Sequence, residues 1–69
     1  MKHISYEVKN GVAVIKFNRP EKMNSLTLQM YQDLGGAFKK AQADDEVAAC
    51  ILTGEGKKAF CVGADLTES

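Results

Sequence analysis

The pair Asn10-Gly11 constrains this chain more than any other feature, because it stands between two strand-like runs and prescribes how they meet. Before it, Ile4, Tyr6 and Val8 alternate with Ser5, Glu7 and Lys9; after it comes "VAVIKFN". Alternation with a period of two marks a half-buried strand. Asn-Gly tolerates the positive φ that a type I′ turn requires at both central positions, so the two runs are expected to pair antiparallel across it. The second run is apolar on both faces over Val12, Ala13, Val14 and Ile15, which predicts a place deeper in a sheet than the first.

"NRPEKMNS" then breaks the pattern. Pro20 has no ladder donor and drives Arg19 into an extended conformation, so this stretch reads as an ordered connection with Arg19 anchoring its turn. From Ser25 onward Leu26, Met30, Leu34, Phe38 and Ala41 recur at about helical spacing, with Leu28, Tyr31 and Ala37 widening the stripe. Asn24, Ser25 or Thr27 is placed to cap the helix start, and Lys39 and Lys40 suit its C-terminal dipole. Gly35 and Gly36 fall mid-helix, where each costs about 1 kcal/mol against alanine. Either a bend or a close packing partner is expected there. "ADDE" reads as a solvated turn, and "VAACILTG" as a short buried strand. Strand, helix and second inner strand in that order predict a right-handed crossover between parallel strands. The fold class is α/β, a β-hairpin feeding a βαβ unit.

Size sharpens the picture. With 69 residues, 45% of them hydrophobic and 26% charged, the composition is that of a globular chain. A domain this short buries only about 60% of its unfolded surface, and below roughly 70 to 80 residues most folds lean on a disulfide, a metal or a partner. Cys50 and Cys61 stand alone, without a CxxC motif and with one histidine in the whole chain, so two buried free thiols are expected and no metal site. Nine basic and nine acidic side chains cancel, which removes the long-range field that gathers nucleic acid or an anionic membrane. "MKHISYEVKN" lacks a signal-peptide core and no apolar run approaches membrane-spanning length, so a cytoplasmic location is expected. Without repeats or linker-like tracts, residues 1–69 read as one continuous piece.

Few residues present themselves for chemistry. "GEGKKAF" lacks both the spacing and the following Ser or Thr of a Walker loop, so Lys57 and Lys58 read as a solvated loop face, with a contact to a ligand phosphate as the alternative. His3 has no acidic or cysteine partner nearby and reads as a surface histidine. Glu7, Glu21, Glu46 and Glu55 are scattered, with no pair fixed at a spacing suited to acid/base work. Met23 and Met30 read first as core filler. "AFCVGADL" is more telling. Gly63 lets a ligand approach the backbone, and Asp65 followed by Glu68 has the spacing of a capping box, so a helix is expected to begin there. The N–H groups around Ala64 and Leu66 would then be unpaired donors at the positive end of a dipole, with Asp65 a cap rather than a base. The plain alternative is that "GAD" only ends a strand and starts a helix.

"GVAVIKFNRPEKMNSLTLQM", followed after the helix by "ILTGEGKKAFCVGADL", resembles the N-terminal part of the crotonase family, the enoyl-CoA hydratases and isomerases. The resemblance covers nearly the whole chain. It implies a fragment of a spiral of ββα units and, as parent activity, addition of water across an enoyl-CoA double bond. Isomerases, hydrolases, dehalogenases and ring-forming synthases share the family. Family members polarise an acyl-CoA thioester with two backbone N–H groups, and Ala64 would supply the first; losing one such donor elsewhere costs about 2.7 to 4 kcal/mol of barrier. By the same resemblance Val62, Ala64, Asp65, Leu66 and Thr67 would line the adenine and thioester groove, and the loop around Lys22, Met23 and Ser25 would close over the coenzyme. No cofactor is implied beyond coenzyme A as part of the substrate.

The departures weigh as much as the agreement. The family's second oxyanion donor and its catalytic acids lie downstream of any residue present here, and Val62 stands where family members commonly place a small residue. A capping box whose second member, Glu68, is one residue before the last reads as a sequence meant to continue, so residues 1–69 are expected to be the N-terminal part of a crotonase-like domain, truncated after the GAD motif. The parent family tends toward trimers and hexamers, and a piece with half a core is expected to self-associate through exposed strands. A catalytically dead fragment, or a small module that binds acyl-CoA or a protein without turnover, are the rival readings to an enzyme.

Overall fold

A computed structural model describes residues 2–57, 60, 61 and 63. Two strands, β1 (Ile4–Lys9) and β2 (Val12–Phe17), form the hairpin that Asn10-Gly11 prescribes. Lys9 pairs with Val12, leaving a two-residue loop in which Asn10 has φ 51° and Gly11 φ 78°, the left-handed conformation of both central residues in a type I′ turn. A single-turn 3₁₀ helix at Pro20–Lys22 follows, then α1 (Leu28–Ala43) and β3 (Ala49–Gly54). The sheet order is β1-β2-β3, with β1 and β2 antiparallel and β2 and β3 parallel. The doubly apolar run is thus the central strand, as its sequence indicated.

α1 starts later than its apolar stripe. Thr27 is the residue that caps it, its Oγ1 accepting from the Met30 N–H at 3.1 Å. The helix lies over β1 and β2, and Met30, Leu34, Ala37 and Ala41 supply its inward side. Met30, Leu34 and Ala37 meet Ile4, Ile15 and Phe17, with Tyr6 and Leu26 at the margin. Phe38, expected within the buried stripe, and Leu28 and Tyr31, expected to widen it, stay exposed, whereas Ala37 is buried as expected.

Gly35 and Gly36 correct the sequence reading. The helix runs unbroken through both, they are exposed, and a Cβ on either would meet nothing within 4 Å. Neither a break nor a packing partner among the described residues accounts for them.

β3 corrects it more deeply. The strand forms as expected, yet Ala49, Cys50, Ile51 and Leu52 are all exposed. α1 does not cover it, and its outer edge pairs with nothing among the described residues. An apolar run states what favours burial, whereas burial itself needs a layer on top. Cys50 is accordingly an exposed thiol rather than a buried one; Cys61 is half-buried beside the core, and both are free. No helix is long and apolar enough to cross a membrane among the described residues.

Candidate functional site

The site begins with the connection between β2 and α1, whose backbone folds on itself. Lys22 N–H donates to Arg19 O (3.1 Å), Met23 N–H to Pro20 O (3.0 Å), Asn24 N–H to Arg19 O (2.9 Å) and Ser25 N–H to Lys22 O (3.1 Å). Met23 and Asn24 both take left-handed φ, 50° and 58°, a conformation that Asn accepts far more readily than Met. The reversal sends the two neighbours opposite ways: Met23 is 46% exposed, and Asn24 is fully buried. Lys22 is exposed beside Met23.

Arg19 anchors the loop as expected, but its backbone, at φ −139° and ψ 55°, is not the extended one its place before Pro20 predicted, because the chain already turns there. Its guanidinium is buried and Nη1 donates to both the carbonyl and the hydroxyl oxygen of Ser25, each at 3.1 Å. Ser25, one of the three loop residues proposed from the sequence to touch coenzyme, is therefore buried with its hydroxyl held by Arg19, while Lys22 and Met23 face outward. Sequence reasoning weighed Asn24 only as a helix cap. In the structure its Oδ1 accepts from the Arg19 N–H at 2.9 Å and its Nδ2 donates to Glu55 O at 2.8 Å, tying the loop to the end of β3. No sequence pattern announced this role, since the two successive left-handed residues that bury Asn24 are a property of the folded turn.

The chain beyond β3 returns to the same place. Glu55 N–H donates to Phe17 O at 2.7 Å, the Phe60 ring packs against Phe17 with centroids 5.3 Å apart, and Leu26 N–H donates to Gly63 O at 2.8 Å. Gly54 sits where these segments cross: a Cβ there would collide with the Phe60 carbonyl and stand 2.7 Å from Asn24 Nδ2. The coenzyme-loop candidates and the stretch entering the GAD motif are thus brought side by side. Val62, Ala64, Asp65, Leu66 and Thr67, the groove and oxyanion candidates, lie outside the described residues, as do the capping box and Lys58.

Ionisable groups offer little else here. Lys57 is exposed, and His3 Nδ1 lies 3.4 Å from the Asn18 carbonyl. Lys16 and Glu55 form an exposed pair at 3.3 Å, a contact of small energetic weight. No metal-ligating cluster occurs among the described residues. On the other side of the molecule, an open groove between α1 and the start of β3 is lined by Phe38, Gln42, Val47 and Cys50, with no residue of the loop. Next to α1, the phenol of Tyr6 is raised above its ordinary pKa by burial, and further by Asp44 and Cys50; its hydroxyl has no hydrogen-bond partner among the described residues, and Lys40 Nζ lies 4.8 Å from the ring centroid.

Known proteins match this arrangement over most of its length. Residues 7–69 fit the model of the enoyl-CoA hydratase/isomerase family. The chain is 51% identical over 57 residues to the "Probable enoyl-CoA hydratase 1, peroxisomal" of Arabidopsis thaliana, covering 83% of this chain and 21% of that one. It is 39% identical over 66 residues to the (E)-benzylidenesuccinyl-CoA hydratase of Thauera aromatica, covering 96% of this chain and 26% of that one. The crystal structure of an enoyl-CoA hydratase/isomerase from Xanthobacter autotrophicus superimposes with a TM-score of 0.89 at 43% identity, over 94% of this chain and 24% of that one. The chain therefore spans about a quarter of the length of these relatives. Its α/β arrangement of hairpin, helix and strand is that of the crotonase fold in them. On the family model and these likenesses together, the chain belongs to the enoyl-CoA hydratase/isomerase family.

Proposed function

We propose that this chain carries the coenzyme side of an acyl-CoA site, in which the backbone N–H of Ala64 serves as one donor of an oxyanion hole for a thioester enolate. The observation that carries the reading is the juxtaposition of the loop with the entry to the GAD motif, fixed at Leu26 and Gly63 by a 2.8 Å hydrogen bond. Lys22 offers an exposed cation for a phosphate, and Met23 an exposed apolar surface beside it. Val62, Asp65, Leu66 and Thr67 complete the groove in this reading, and Ser25, whose N–H donates to Lys22 O and whose carbonyl and hydroxyl accept from Arg19, holds the loop that closes over the coenzyme. Preorganised amides are worth most where charge develops in a site closed to water.

The ligand is an acyl-CoA thioester, with coenzyme A entering as part of the substrate. In a complete enzyme of this kind the outcome is hydration or isomerisation of an enoyl-CoA in the cytoplasm, within a homotrimer or hexamer. The 69-residue chain alone is expected not to turn over, since one oxyanion donor without a general acid or base leaves most of the barrier in place. Crotonyl-CoA hydration assayed on protein free of host hydratase tests this, and a heat-labile rate would contradict it. Coenzyme A titration followed by amide shifts separates the other readings. Shifts centred on Lys22, Met23 and the GAD motif support an acyl-CoA binder; their absence at millimolar ligand supports a catalytically dead fragment.

A further inference from the structure

We propose that Asn24 is the positioning residue of this site, a clamp that holds the coenzyme loop at a fixed separation from the stretch leading to Ala64. The inference rests on the reading above that these two segments serve one ligand. Three observations carry it, and each is independent of any ligand.

First, the carboxamide works at both ends. Oδ1 accepts from Arg19 N–H within the loop and Nδ2 donates to Glu55 O, thirty-one residues away, so one planar group ties together segments that share no strand or helix. Second, Asn24 is fully buried, so in the folded chain no solvent water competes for its two hydrogen bonds. Its left-handed φ of 58° turns the carboxamide inward while Lys22 and Met23 stay at the surface. Third, the clamp closes against backbone. Position 54 admits no side chain between Asn24 Nδ2 and the Phe60 carbonyl, and Leu26 N–H to Gly63 O forms a second tie on the far side of the loop. Loop and strand end therefore move as one body, and a ligand gripped by both would find its two contact regions already spaced. Preorganisation of this kind lowers the ordering cost of binding.

Two variants of the full chain test it. Asn24→Gly keeps the left-handed backbone and deletes the carboxamide. Asn24→Asp keeps the acceptor for Arg19 N–H and replaces the donor to Glu55. Amide hydrogen exchange is followed at Leu26, which reads the loop tie, and at Ile15 in the centre of the sheet, which reads global opening. Coenzyme A affinity is measured in parallel by amide shifts. In both variants Leu26 is expected to exchange about tenfold faster, with Ile15 changed far less and coenzyme A bound about fivefold to tenfold more weakly, as for loss of one hydrogen bond. Equal acceleration at Leu26 and Ile15 would show a purely structural residue and overturn the proposal. So would wild-type affinity in a variant whose Leu26 exchanges rapidly. If the wild-type chain itself shows no coenzyme A shifts, the functional reading falls; the clamp is then judged by exchange alone, upheld by selective acceleration at Leu26 and overturned by a uniform one.

Discussion

Asn24 Nδ2 stands 2.7 Å from the point that a Cβ on Gly54 would occupy. The end of β3 and the loop are in contact through the absence of a side chain. Adding even a methyl group must push the carboxamide off Glu55 or displace the Phe60 carbonyl, because both neighbours are fixed. Gly54→Ala is therefore expected to destabilise the chain by about 1–3 kcal/mol, the usual range for overpacking. A urea or thermal midpoint equal to wild type would show that the loop yields without cost.

Gly35 and Gly36 make the opposite case. Both lie in α1 with open space around them, so alanine adds no clash and removes backbone entropy from the unfolded chain. Gly35→Ala and Gly36→Ala should each stabilise by about 0.5–1 kcal/mol. Thermal denaturation of the single and double variants checks both the sign and the additivity. A loss of stability would mean that the glycines serve a close neighbour absent from the isolated chain.

Tyr6 sets an alkaline limit. Its phenol is raised by burial, then by Asp44 and Cys50, so the folded state holds its proton to higher pH than the unfolded state does. The resulting stability is complete below the unfolded value of about 10 and is lost as pH rises through the folded value. Tyr6→Phe deletes a hydroxyl that has no partner among the described residues and should flatten this part of the stability profile above about pH 10 while leaving neutral-pH stability close to wild type. Denaturant midpoints from neutral to alkaline pH for the two proteins give the comparison, and parallel curves would exclude Tyr6 as the cause.

β3 carries no charged residue and no proline, the devices that usually protect an open edge. Ile51 is 52% exposed and Leu52 38%. The chain is expected to associate with a concentration dependence that sedimentation velocity can follow, and Ile51→Lys should return it toward monomer. A wild-type chain that sediments as a monomer at every concentration would refute this.

The local elements were legible because their causes are local. Asn10-Gly11 specified the turn and the register of β1 on β2, Thr27 was among three caps in view, and Met30 was visible as part of a helical stripe. Met23, read first as core filler, is instead exposed, because the left-handed turn at 23 and 24 carries its side chain outward and buries Asn24 in its place. Asn24 was not recognised as more than a cap, since its partner Glu55 lies thirty-one positions away and is engaged through a carbonyl that no side-chain pattern reveals. Exposure of Cys50 and Leu52 was equally hidden.

By itself the sequence determined which segments become strand, helix and turn, for side-chain alternation, capping hydroxyls and left-handed tolerance act over a few neighbouring residues. Only the tertiary structure decided which apolar faces are covered and which distant groups meet. α1 spans two strands and leaves the third bare, and a buried carboxamide joins loop to strand end, because burial and hydrogen bonding across the chain depend on where whole elements come to rest.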